Sequence, residues 1–185
     1  MRAIFKLDRR ILVAGLTLCL LGMVGTPGVI SAEGTEWIKT LQREPLRGLT
    51  GVNVLVEAIE SEMVKYGVPS REMVQTKVEL RLRSAGIQVL TEDESIKSLG
   101  SPYLYINLNP MKLPADKGAT YNIDINLKEN VRLVRNPSMS CFAATWHVSC
   151  LGGASSSQIT AGIQQSLDDL IDEFINDYLA VNPKK

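Results

Sequence analysis

The sequence predicts an α+β domain, a two-layer sandwich in which a four- to five-stranded, mostly antiparallel sheet carries two main helices on one face. Three observations predict it. From Tyr121 to Leu133, apolar residues alternate with polar ones at a period of two, the pattern of a long strand with one covered face and one wet face. Residues 71–85 and 159–178 instead space their apolar side chains at helical period. The elements run strand, helix, three or four strands, helix, so two helices suffice to cover one face of the sheet.

Ahead of this domain, residues 1–32 read as a cleavable export signal. Arg2, Lys6, Arg9 and Arg10 form a positive n-region, Ile11 to Val24 an uncharged apolar stretch, and Ile30-Ser31-Ala32 the small-residue site for cleavage after Ala32. A retained membrane anchor is the competing reading, because Ile11 to Ile30 has the length of a span. Gly15, Gly22, Gly25, Pro27 and Gly28 make that stretch a poor helix. Lipidation at Cys19 lacks the small residue that should precede it, since Leu18 stands there. The expected location is therefore periplasmic or secreted, without stable membrane insertion after cleavage. The signal holds four of the 20 basic residues and one of the 20 acidic ones, so the remainder carries a net charge of about −3. That charge argues against nucleic acid as a partner. About 150 residues remain, enough for one domain with its own core.

Residues 33–49 read as an N-terminal arm, with one amphipathic turn around Trp37, Ile38 and Leu41 before Pro45 and Gly48; residues 50–185 form the domain. Val52, Val54 and Val56 alternate with Asn53, Leu55 and Glu57 as a first strand. Ser70 is placed to cap a helix reaching Ala85, with Val74, Val78 and Leu82 as its apolar stripe and Gly86 as its stop. A strand begins at Ile87. Thr91 then caps a short acidic turn that Gly100, Ser101 and Pro102 end. Tyr103 to Asn109 alternates as a further strand, and Pro110 to Gly118 is a loop. Beyond the long strand, Asn136-Pro137-Ser138 is expected to turn the chain. Cys141 to Val148 would return with Phe142, Ala144, Trp146 and Val148 on one face. Gly152 to Ser157 forms a loop, and the final helix buries Ile159, Ile163, Leu167, Leu170, Ile171, Phe174, Ile175 and Tyr178 before Asn182-Pro183.

Cys141 and Cys150 are the two cysteines left after cleavage, and an oxidising compartment favours a structural disulfide between them. The bridge carries a geometric condition: residues 141–150 cannot run as one straight strand, which would separate the two Cα atoms by about 30 Å.

Few chemistries fit these residues. His147 is the only histidine, without the partners a zinc site draws on, so no metal and no cofactor are expected. Ser155, Ser156 and Ser157 lack a nucleophile elbow. Asn122, Asp124 and Asn126 open like a calcium loop, but Leu127 and Leu133 stand where Gly and Glu are required. Gly152-Gly153 lacks the lysine of a phosphate loop. No catalytic residue is assigned. The wet face of the long strand, Asn122, Asp124, Asn126, Lys128, Asn130 and Arg132, is instead the candidate binding surface, in preference to His147.

Two segments, Val78-Glu79-Leu80-Arg81-Leu82-Arg83-Ser84-Ala85-Gly86-Ile87 and Phe174-Ile175-Asn176-Asp177-Tyr178-Leu179-Ala180-Val181-Asn182-Pro183, resemble a group of exported bacterial proteins of unknown function. The element order is also loosely similar to the TolB N-terminal domain and the lipoprotein activators of penicillin-binding proteins. The resemblance implies an envelope location and no activity. The resulting expectation is a non-catalytic binding or accessory protein of the cell envelope, its partner a protein or other envelope component. A carrier of a small apolar ligand is the alternative, and a hydrolase a more distant one.

Overall fold

The computed structural model describes residues 32–183; the signal segment and its cleavage-site residue Ser31 lie outside the described residues. The chain divides into two units, Met1–Trp37 and Ile38–Lys185. Five strands form one mixed sheet: β1 (Gly51–Val56), β2 (Gln88–Val89), β3 (Tyr103–Lys112), β4 (Ala119–Leu133) and β5 (Asn136–Ala154), in the order β2-β1-β3-β4-β5. The helices are α1 (Ala32–Arg43), α2 (Ser61–Lys65), α3 (Arg71–Ser84), α4 (Glu92–Lys97) and α5 (Ile159–Val181). No helix among the described residues is long and apolar enough to cross a membrane.

The α+β architecture follows from how each connection returns the chain. Between β1 and β2, helix α3 carries the chain back, so these strands pair in parallel, as do β1 and β3. Short connections join β3 to β4 and β4 to β5, so these pairs are antiparallel and supply most of the ladder. The caps read in the sequence are present. Ser70 accepts a hydrogen bond from the Met73 N–H at the start of α3, and Gly86 leaves that helix at φ 83°. Thr91 and Glu94 form a reciprocal capping box on α4.

One face of the sheet is dry. Val52, Leu104, Ile106, Ile123, Ile125 and Leu127 are buried beneath Val78 and Leu82 of α3 and Ile163, Ile171 and Phe174 of α5. Tyr121 also points there, its hydroxyl 3.0 Å from Ser166 Oγ, and lies across Gly152 of the neighbouring strand. A Cβ at Gly152 would fall 2.5 Å from the Tyr121 ring, so only glycine admits this contact. Residues 43–49, expected as part of an arm, lie along α5. Leu46 is fully buried, Arg43 pairs with Asp177, and the Tyr178 hydroxyl donates to the Leu49 carbonyl.

Three expectations need correction. The β4–β5 turn falls at Val134 and Arg135, and Asn136 already begins β5. Thr145 is an extra residue in β5, because Leu127 pairs with Trp146 while Lys128 pairs with Ala144. This β-bulge reverses the alternation, so Trp146 is buried on the dry face while Phe142 and Ala144 emerge on the wet one. The disulfide is absent: Cys141 and Cys150 are free thiols. Both lie on the single strand β5, and a separation of about 30 Å at strand rise puts them far beyond bridging distance. The sequence contains the signals for a turn at 136–138, but none that would fold residues 141–150 back on themselves.

Candidate binding face

Among the described residues the opposite face of the sheet carries no helical layer, and strand register assembles it. Asn109 lies beside Asn122, Asn107 beside Asp124, Tyr105 beside Asn126 and Tyr103 beside Lys128. On the other side of β4, Asp124 faces Ser149, Asn126 faces His147, and Lys128 faces Ala144. Beyond Lys128 the sheet narrows to a ribbon of β4 and β5, where Asn130 faces Phe142 and Arg132 faces Ser140. The six residues expected to form one surface thus share one face. Four are flanked by strands on both sides, and Asn130 and Arg132 lie on the projecting ribbon.

Two groups of contacts organise the face. The Tyr105 hydroxyl donates to Glu57, which also accepts from the Ala58 backbone; these bonds hold the Glu57 carboxyl below its ordinary value and raise the Tyr105 hydroxyl above its own. The Lys128 ammonium rests 4.0 Å from the centroid of the same Tyr105 ring. Further along, Asn122 donates to Asp124, and His147 Nε2 lies 3.6 Å from Asp124 Oδ1. The sequence alone gives His147 no partner, yet the fold brings it from the edge strand beside Asp124. In contrast, the Asn107, Asn109, Asn126 and Asn130 amides have no hydrogen-bond partner among the described residues. Each retains two donors and an acceptor toward solvent.

Tyr103, Tyr105, Asn107 and Asn109 join the face from β3, a contribution that the sequence pattern does not disclose. Their alternation was visible, but a strand pattern does not say which neighbouring strand it lies against. Tyr103 also stacks at 5.7 Å on Phe142, which reaches this face only because of the bulge. Beside them, a cleft of about 570 Å³ opens at the edge of β1 between α3 and α4, bounded by Asn53, Leu55, Glu79, Arg83, Ile96 and Tyr103. There the Asn53 amide donates to the Leu90 carbonyl where the short strand β2 ends.

Asp124, His147 and Ser149 are neighbours on this face, and among the described residues Ser149 and His147 share no hydrogen bond. Among the described residues no group of three or more His, Cys, Asp or Glu side chains converges as a metal site would require. The arrangement offers amides and phenols together with the charged groups of Asp124, Lys128 and Arg132, able to hydrogen-bond with an opposing surface. Comparison with protein-family models, with curated proteins and with solved structures gives no match.

Proposed function

We propose that this chain is an exported, non-catalytic binding component of the cell envelope, periplasmic or secreted, and that it engages a protein partner through the open sheet face. The observation that carries this reading is the group of four asparagine amides without partners among the described residues, set beside two tyrosines on the sheet. Uncommitted amides on a pre-ordered surface lose little conformational freedom on binding, and tyrosine supplies contact area at low entropic cost. The n-region, apolar stretch and Ala32 site of the sequence support export.

The alternative, a small apolar ligand carrier, draws on a groove of about 470 Å³ on the helical side, lined by Pro69, Met73, Leu80 and Leu167. The interlayer space where a carrier would enclose its ligand is filled by Val78, Leu82, Ile163 and Phe174. The sheet face is therefore favoured.

A photo-crosslinking residue at Asn126 should capture one defined envelope protein, and the same group at Leu80 should not. Replacing Asp124 and Asn126 together by Ser should weaken that capture while leaving the protein folded, as circular dichroism would verify, because both side chains are half-exposed on the open face. Intact mass of the exported protein should begin at Glu33. Equal capture from both positions, or a capture indifferent to the double substitution, would refute the face as the binding site.

A further inference from the structure

The edge strand β5 runs for 19 residues and, among the described residues, pairs with β4 alone. Proteins guard such edges with lysines, prolines, inward charges or short strands, because a row of unpaired backbone groups recruits another strand. Between Pro137 and Gly152 this strand contains no Lys, Arg, Asp, Glu or Pro. We propose that a second copy of this chain pairs with it, β5 against β5 in antiparallel register about a two-fold axis normal to the sheet, making one continuous ten-stranded sheet. This assembly goes beyond the partner-binding reading and stands independently of it.

The bulge at Thr145 fixes the register. Cys141 lies opposite Val131 and Cys150 opposite Ile123, so both thiols point to the same side of the sheet. Nine positions apart in an unbulged strand, they would point to opposite sides. An antiparallel pairing that sets Cys141 beside Cys150 of a second copy also sets Phe142 beside Ser149, Ala143 beside Val148 and Ala144 beside His147. Each of these residues meets a partner on its own face: Phe142, Ala144, His147 and Ser149 are all on the wet face, while Ala143 and Val148 are on the dry side. The axis repeats all four pairs. No like charges meet along the seam, because the strand has no permanently charged side chain. The two thiols that cannot reach each other within one chain become cross-strand neighbours between two chains, and the wet faces of both copies join.

Light scattering of the purified reduced protein should give a dimer mass. Oxidised glutathione should then link Cys141 to Cys150 between chains, each bridge passing two electrons and two protons to one glutathione disulfide and releasing two reduced glutathiones. C141S and C150S should each fail to form this bridge alone, and an equimolar mixture of the two should form it. Phe142→Lys with Ser149→Lys places like charges opposite each other twice and should weaken dimerisation roughly tenfold or more. Phe142→Asp with Ser149→Lys should restore it; both positions carry exposed side chains, and circular dichroism verifies folding. A monomer at every concentration tested would overturn the proposal. So would Cys141–Cys141 or Cys150–Cys150 bridges in place of the mixed pair, or a charge-reversed variant as weak as the double lysine.

Discussion

Asp177 joins three parts of the fold, and its removal should cost more than its position near the surface suggests. One carboxylate oxygen accepts the Trp146 indole N–H at 3.0 Å, and the other accepts Arg43 Nε at 3.0 Å. Trp146 is 3% exposed and packs edge-on against Phe174 at 5.1 Å, so its N–H has no access to replacement water. Asp177→Ala leaves that donor unpaired, at a cost of about 1–3 kcal/mol. The Arg43 pair is partly exposed, with side-chain exposures of 30% and 15%, and its loss adds at most about 1 kcal/mol. The sum, about 1–4 kcal/mol, corresponds to a fall in Tm of roughly 2–16 °C for a domain of this size. Asp177→Asn keeps an oxygen for the indole while discarding the charge, and should lose about 1 kcal/mol, close to the effect of Arg43→Ala. Urea unfolding of the three variants measures these differences. If Asp177→Ala lies within about 0.5 kcal/mol of the parent, or Asp177→Asn is as damaging as Ala, the indole bond is not what holds β5 to α5.

Gly152→Ala should destabilise by about 1–3 kcal/mol, since its Cβ would meet the Tyr121 ring at 2.5–2.6 Å; pairing it with Tyr121→Leu should recover part of the loss in the same unfolding assay. Glu57 should titrate below its ordinary 4.5, chiefly through the Tyr105 hydroxyl bond. A depressed folded-state value means that its contribution to stability is present above the ordinary value and lost as pH falls through the lowered one. Carboxyl NMR should find this titration moved upward in Tyr105→Phe, and an unmoved Glu57 would contradict the bond. Tyr105 itself, raised by the same carboxylate, should ionise above pH 10, read from phenolate absorbance.

The sequence determined whatever depends on near neighbours. Ser70, Thr91 and Gly86 mark helix ends because capping is completed within about four residues, and all three act as read. The alternation from Tyr121 to Leu127 named the buried face of β4 residue by residue, since a strand with one covered face has no other register compatible with burial. It thereby placed Asn122, Asp124, Asn126 and Lys128 on the open face. The tertiary structure decided which strands flank them. Parallel pairing of β1 with β3, and the seating of Tyr103 and Tyr105 beside Lys128 and Asn126, depend on contacts between distant segments that no local pattern encodes. The bulge at Thr145 is of the same kind. Strict alternation through residues 142–148 puts Phe142 and Trp146 on one side, whereas filling the core with Trp146 against Phe174 and Asp177 requires one extra residue in the strand. That single insertion moved Phe142 to the binding face and turned Cys141 to the side of Cys150. The pair Cys141 and Cys150 can therefore signal a disulfide, while only the path of β5 decides that no bond joins them within the chain.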